Sequence, residues 1–169
     1  MPAAGPPRPL VECDDRAQFD CGREPLDAWF RRHAWTNQLS GASRVNVLDD
    51  AESGRIIGYV TLSATQIERA FLPKAQRRNS PDPIPATLLG QLAVDKRFQG
   101  RGHAKDLLLF ALKASLYVSK SIGGGGVVTH PLDDNLRGFY GRRGFRHLPF
   151  DPRHAMIVRM AEVERYFRG

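Results

Sequence analysis

Residues Leu88–Leu116 read LLGQLAVDKRFQGRGHAKDLLLFALKASL, and the pattern of the chain changes twice within them. Leu88 to Val94 is an apolar run ending on a β-branched residue, and it stops at the polar pair Asp95-Lys96, as a strand does where it leaves a sheet. From Gly102 onward Ala104, Leu107, Leu108, Ala111, Leu112 and Leu116 recur every three or four residues, the period of an amphipathic helix. The stretch is therefore strand, glycine loop, helix. Gly100 and Gly102 carry no side chain to block a close backbone approach, and the first N–H groups of a helix have no acceptor inside it. That combination forms a cradle for a phosphate or pyrophosphate, with Arg97, Arg101 and Lys105 placing positive charge around it. The loop lacks the Gly-Lys-Ser/Thr end of a nucleotide triphosphatase and the third glycine of a dinucleotide fingerprint.

At 169 residues the chain is long enough for one well-buried core, and we expect a single domain over 1–169. Residues 1–9 are rich in proline and small residues and read as a flexible N-terminal segment without the apolar run of a signal peptide. No run of about 18 apolar residues is present for a membrane span, so the expectation is a cytoplasmic protein with no membrane partner. Cys13 and Cys21 match no metal motif and are expected as free thiols. The formal net charge of +7 favours polyanionic partners without selecting one.

In chain order, Leu10–Cys13 reads as a short strand. A helix follows from Pro25 to Gly41, burying Leu26, Trp29 and Phe30 on one face. Ser43–Leu48 and Arg55–Ser63 form a hairpin across a polar turn. Gln66–Asp82 reads as a loop with at most a short helix, carrying Arg69, Lys74, Arg77 and Arg78. After the central helix come a glycine-rich loop, a strand at Gly126–His130, a helix over Asp133–Arg143 opened by acidic residues, and strands at Phe145–Leu148 and Ala155–Met160. Strands alternating with helices in this order give a mixed α/β sheet of about six or seven strands flanked by helices.

Arg97-Phe98-Gln99-Gly100-Arg101-Gly102 matches Arg/Gln-x-x-Gly-x-Gly/Ala, and Phe139-Tyr140-Gly141-Arg142-Arg143-Gly144-Phe145 matches Phe-Tyr-x-x-x-Gly-Phe. With these two motifs the chain resembles the GNAT superfamily of N-acetyltransferases. The resemblance implies the GNAT fold, with its fourth and fifth strands splayed, and acetyl-CoA as cofactor. It implies cofactor contacts from Leu92, Ala93, Val94, Arg97, Gln99, Gly100, Arg101, Gly102, His103, Ala104, Asp133 and Phe139, with a backbone N–H at or near Val94 stabilising the oxyanion. Tyr140 holds the general-acid position. Its ordinary pKa of about 10 exceeds the thiol's, about 8.5, so it stays protonated at neutral pH and can donate to the departing thiolate. Among general-base candidates Asp95, Glu68, His103 and His130 remain open, and an α-amine near 7.7–8.0 needs less help than a lysine.

Phe19-Asp20-Cys21-Gly22, Leu26-Asp27-x-Trp29, Asn37-Gln38, Gly41-Ala42-Ser43-Arg44 and the long Leu88–Ala104 block resemble the TacT-like toxins within that superfamily. This narrower resemblance implies acetylation of the α-amino group of aminoacyl-tRNA, blocking translation. It also implies a homodimer, neutralised by a ribbon-helix-helix antitoxin in a complex that binds operator DNA. Asn37, Arg44, Arg77, Arg78 and Arg142 are the expected substrate contacts. Two alternatives stay open: a GNAT enzyme acting on a small amine or protein N-terminus, and a non-catalytic component of a DNA-binding repressor complex. Asp133 stands where the superfamily often has Asn, and Val45 where the toxins carry Thr.

Overall fold

The computed structural model describes residues 4–169. Its elements are β1 (Arg8–Pro9), α1 (Glu24–Ser40), β2 (Arg44–Asp49), β3 (Ile56–Ile67), α2 (Lys74–Arg77), β4 (Ile84–Val94), α3 (His103–Ile122), β5 (Gly126–Thr129), α4 (Asp134–Gly141), β6 (Arg146–His147), β7 (Met156–Arg159) and α5 (Met160–Arg168). The strands form one mixed seven-stranded sheet in the order β1-β2-β3-β4-β5-β7-β6, with β4 and β5 parallel. The β4–β5 ladder pairs Thr87 with Val127, Leu88 with Val128 and Leu89 with Thr129, and β4 then runs on to Val94. Residues 1–3 of the segment read as flexible lie outside the described residues, while Arg8 and Pro9 pair with Val47 and Asn46 of β2.

The first strand lies earlier than Leu10–Cys13. The cause is Asp14, whose carboxylate takes the Val11 N–H at 2.8 Å and the Arg8 guanidinium at 2.8 Å, turning the chain just where a longer strand would have continued. The strand entering the glycine loop begins at Ile84 rather than Leu88. Beyond β7 the strand reading has nothing, yet Met160–Arg168 is helical, burying Met160 and Val163.

Two compact units emerge, one running up to Ser63 and including Gly90–Ala111, the other comprising Ala64–Leu89 and Leu112–Gly169. In the first, Phe30, Val45, Val47 and Tyr59 are fully buried, with the Phe30 and Tyr59 rings stacked at 4.3 Å between centroids. Tyr59 satisfies its hydroxyl by donating to the Leu26 carbonyl at 2.7 Å, so an aromatic core contains no stranded polar atom there. Gly58 of β3 sets how closely its neighbours approach. A Cβ there would lie 2.7 Å from the Ala93 carbonyl oxygen and 2.9 Å from Leu107 Cδ1, so the end of β4 and the face of α3 pack on β3 through a missing side chain. In the second unit Val128, Leu148, Ala155 and Ile157 form the core on which β5, β6 and β7 meet.

Candidate active site

The glycine loop belongs to the first unit, and three side chains shape it. Asp95 ends β4 with its side chain 1% exposed; it accepts from the Asp20 N–H at 3.1 Å and the Arg97 N–H at 2.9 Å, nucleating the turn Lys96–Phe98. Arg97 closes a two-pronged bond on it, Nε to Oδ1 and Nη2 to Oδ2, both 2.9 Å. Burial pushes the Asp95 carboxyl up, but with four donors on its oxygens it is a paired structural anion with no lone pair left for base catalysis. Gln99 donates through Nε2 to the Cys21 carbonyl at 3.0 Å and the Val94 carbonyl at 2.8 Å, tying the loop to the end of β4.

Gly100 and Gly102 follow with φ of +80° and +84°, a conformation that L side chains resist, and nothing lies within 4 Å of where a Cβ would stand on either. The backbone is thus open to approach. The first helical bond of α3 runs from the Asp106 N–H to the Gly102 carbonyl at 3.1 Å, leaving the amides just before Asp106 without a helical acceptor. His103 opens the helix with its Nδ1 buried and unpartnered. An open glycine backbone, free helix amides and an orphaned imidazole nitrogen together fit the pyrophosphate of acetyl-CoA. Leu92, Ala93 and Val94 are buried on β4 directly before the loop, and Ala104 is half-buried on the first turn of α3. Arg101 is exposed, its guanidinium 5.7 Å over the Phe98 ring. Arg97 and Gln99, by contrast, spend their side chains on protein partners and act as struts of the cradle.

The second unit carries Tyr140, the residue expected from the sequence as proton donor. Asp133 caps α4, its Oδ1 accepting the Leu136 N–H at 2.9 Å, which commits the carboxylate to the helix and accounts for an acid at a position where Asn is common. One turn past Phe139 and Tyr140, Gly144 adopts φ of +98° and lets Phe145 turn back into the core, where its ring meets Tyr140 edge-on at 5.2 Å. The Phe-Tyr-x-x-x-Gly-Phe spacing is thus a helix end, a left-handed glycine and a buried anchor. Phe139 packs edge-on against Tyr140 at 5.1 Å and carries the Arg143 guanidinium 4.4 Å over its ring.

Tyr140 is 3% exposed, and burial pushes its phenol up to about 12 against the opposing pull of a hydrogen bond with the Thr129 hydroxyl. Thr129 in turn donates to the Leu89 carbonyl at 3.0 Å. Sequence reasoning passed over Thr129; the available signal was a lone hydroxyl closing the buried strand Gly126–Thr129. Of the other base candidates, Glu68 is exposed, and His130 is held below its ordinary value by burial first and by Arg153 second, so its imidazole is neutral at pH 7.

The expected substrate residues divide. In the first unit, Asn37 donates to the His33 carbonyl at 2.9 Å near the end of α1, and Arg44 donates to the Gln38 carbonyl at 3.3 Å. In the second, Arg77 is occupied, donating to the Leu72 and Ala70 carbonyls at 3.1 and 2.8 Å with its guanidinium 5.1 Å over Phe150. Arg78 and Arg142 are exposed and, among the described residues, make no ion pair. Charge divides as well. Of 25 basic and 18 acidic residues, eleven of each belong to the first unit, so fourteen bases and seven acids, the entire +7, belong to the second.

A family model described as an acetyltransferase (GNAT) domain matches residues 41–147. The chain is 37% identical over 152 residues to a protein of Mycobacterium tuberculosis named tRNA-acetylating toxin, covering 90% of each. It is also similar to the solved structure of the toxin AtaT complexed with acetyl-methionyl-tRNAfMet, at a TM-score of 0.87, 28% identity, and 95% and 98% coverage of the two chains. A tyrosine-to-phenylalanine mutant of AtaT, bound to the C-terminus of the antitoxin AtaR and to acetyl-CoA, matches at a TM-score of 0.82, 25% identity, and 96% and 98% coverage.

Proposed function

The chain belongs to the GNAT acetyltransferase family, and from that premise we propose that it is a toxin-type enzyme that moves an acetyl group from acetyl-CoA to the α-amino group of aminoacyl-tRNA. The likeness to a tRNA-acetylating toxin over nine-tenths of both chains carries this reading. The charge distribution supports it independently: a unit bearing +7 attracts RNA phosphate, whereas a small neutral amine needs no such field. By the same reading it works in the cytoplasm as a homodimer, and a ribbon-helix-helix antitoxin neutralises it in a complex that binds operator DNA.

When bound, acetyl-CoA supplies an acetyl thioester whose sulfur departs as a thiolate. The open backbone at Gly100 and Gly102 and the free amides of α3 hold its pyrophosphate. The main chain at Val94 supplies the oxyanion donor, and Phe139 contributes apolar surface. On this reading Tyr140 would be the proton donor to the sulfur: its O–H bond would break as S–H forms, while the amine would form the new C–N bond and release its surplus proton to water. An α-amine near 7.7–8.0 is partly neutral at pH 7, which accommodates the lack of a free carboxylate base. Against a thiol near 8.5, a phenol at about 12 gives up its proton about 5 kcal/mol uphill, so the phenolate has to be stabilised as it forms.

The test compares charged tRNA with a free amino-acid ester as salt is raised. Acetylation of charged tRNA should fall steeply and that of the ester should not. Equal, salt-insensitive rates on both would favour a small-amine acetyltransferase instead.

A further inference from the structure

A lone exposed apolar side chain is ordinary on a protein surface, and Phe150 differs from one in how it is held. It stands in the turn between β6 and β7, closed by a bond from the Leu148 N–H to the Ala155 carbonyl at 2.9 Å. Inside that turn the buried Asp151 carboxylate accepts the Arg153 N–H at 2.9 Å and the Ala155 N–H at 3.0 Å. Pro149 and Pro152 restrict the backbone on either side. The turn is thus pinned from within, yet it leaves Phe150 53% exposed. The segment before β4 supports the ring. The Phe150 N–H donates to the Phe71 carbonyl at 3.4 Å, and the Arg77 guanidinium, itself held by the Ala70 and Leu72 carbonyls, lies 5.1 Å over the ring. A fixed cation therefore backs one face of the ring, and solvent reaches the other.

An aromatic ring held in this way offers an unpaired nucleobase a surface to stack on, with positive charge beside it for the phosphate. A base inside a duplex already has both faces covered by its neighbours, so only a single strand brings a free one. Charge favours this occupant over an apolar peptide: the unit that holds Phe150 carries fourteen bases against seven acids, and Arg78 and Arg153 are exposed in the same two segments. The turn is also joined to the helix that bears Tyr140, because Arg137 of α4 donates to the His154 carbonyl at 3.2 Å. We propose that Phe150 is the stacking platform for an unpaired base in the single-stranded 3′ end of aminoacyl-tRNA, the end to which the amino acid is esterified, with Arg77 as its fixed backing. The inference rests on charged tRNA being the substrate. Arg77, on this account, serves the substrate through the ring it supports.

The experiment uses Phe150→Leu, which keeps an apolar side chain and removes the ring, and Phe150→Trp, which keeps a ring; urea melts check that both fold, and Phe150→Met replaces the leucine variant if it does not. Phe150→Leu should raise the KM for charged tRNA by about ten- to a hundredfold and lower the preference for charged tRNA over a free amino-acid ester by a similar factor. Phe150→Trp should stay within about threefold of the parent. A second readout needs no turnover: measured against the parent, whose only tryptophans are Trp29 and Trp35, the added fluorescence of Phe150→Trp should be quenched by a short single-stranded RNA and far less by a blunt duplex of the same sequence. A parent protein that acetylates no charged tRNA would overturn the substrate reading and this inference with it. Where the parent does acetylate charged tRNA, a parental tRNA KM in Phe150→Leu, or equal quenching by duplex and single strand, would overturn this inference alone. Unchanged tRNA kinetics beside weakened antitoxin binding in Phe150→Leu would also overturn it, and would assign the ring to a protein partner instead.

Discussion

Replacing Arg97 by methionine tests whether the loop is built as described. The substitution removes both prongs from Asp95 and leaves a carboxylate that is 1% exposed with only the Asp20 and Arg97 backbone N–H groups as donors. At 2.9 Å and an effective dielectric of about 20, the lost attraction is about 6 kcal/mol. Because the Arg97 side chain is 42% exposed, screening and desolvation offset about half of that, leaving a net destabilisation of about 3 kcal/mol. For a chain of this length, that corresponds to a fall in Tm of about 6–12 °C. The sign with pH follows from burial, which already pushes the Asp95 carboxyl up and does so more strongly once the guanidinium is gone. In the variant the native state then binds a proton that the unfolded state, near 3.9, releases, so its stability falls as pH rises between those two values. The deficit should therefore be small in acid, widen as pH rises and level off once Asp95 ionises. Urea titrations across this range measure it, with Asp95→Asn recovering part of the loss in the Arg97→Met background. A variant within about 0.5 kcal/mol of the parent that has nonetheless lost acetyl-CoA affinity would refute the reasoning, since Arg97 would then be a phosphate ligand and not a strut.

Two further outcomes are expected. A thiol reagent should modify one cysteine in the native protein and two after unfolding: Cys13 is exposed, whereas Cys21 is buried with its thiol pushed up to about 12, first by burial and then by Asp27; native labelling of Cys21 would contradict that core. His130, lowered by burial and by Arg153 with Asp151 opposing, binds protons less readily folded than unfolded; stability should rise as pH climbs through its lowered value toward 6.5 and hold steady above, and His130→Gln should flatten that rise in paired urea titrations.

Much of this was legible because it was local. The strand, positive-φ glycines and helix of Leu88–Leu116 follow from periodicity and from glycine's freedom, and the Tyr140–Phe145 turn follows from the spacing to Gly144. What stayed hidden depended on burial or on partners distant in sequence. Arg97 looks like loop charge until Asp95 is seen to be buried beneath it, and Gln99 looks like a phosphate contact until the Cys21 carbonyl is found 3.0 Å away. Arg77 similarly reads as free basic surface, yet its guanidinium is fixed by two carbonyls. The first strand shifted because one carboxylate, Asp14, competes for the Val11 amide, a contest composition does not reveal.

The central claim is acetyl transfer to charged tRNA, and the direct measurement is the appearance of label from acetyl-CoA on a mixed pool of aminoacyl-tRNA, with uncharged tRNA and Tyr140→Phe as controls. The account predicts label on charged tRNA alone, attached to the α-amino group, released with the amino acid on mild deacylation and absent with Tyr140→Phe. Label on no tRNA despite acetyl-CoA binding, or equal label on uncharged tRNA, would contradict it.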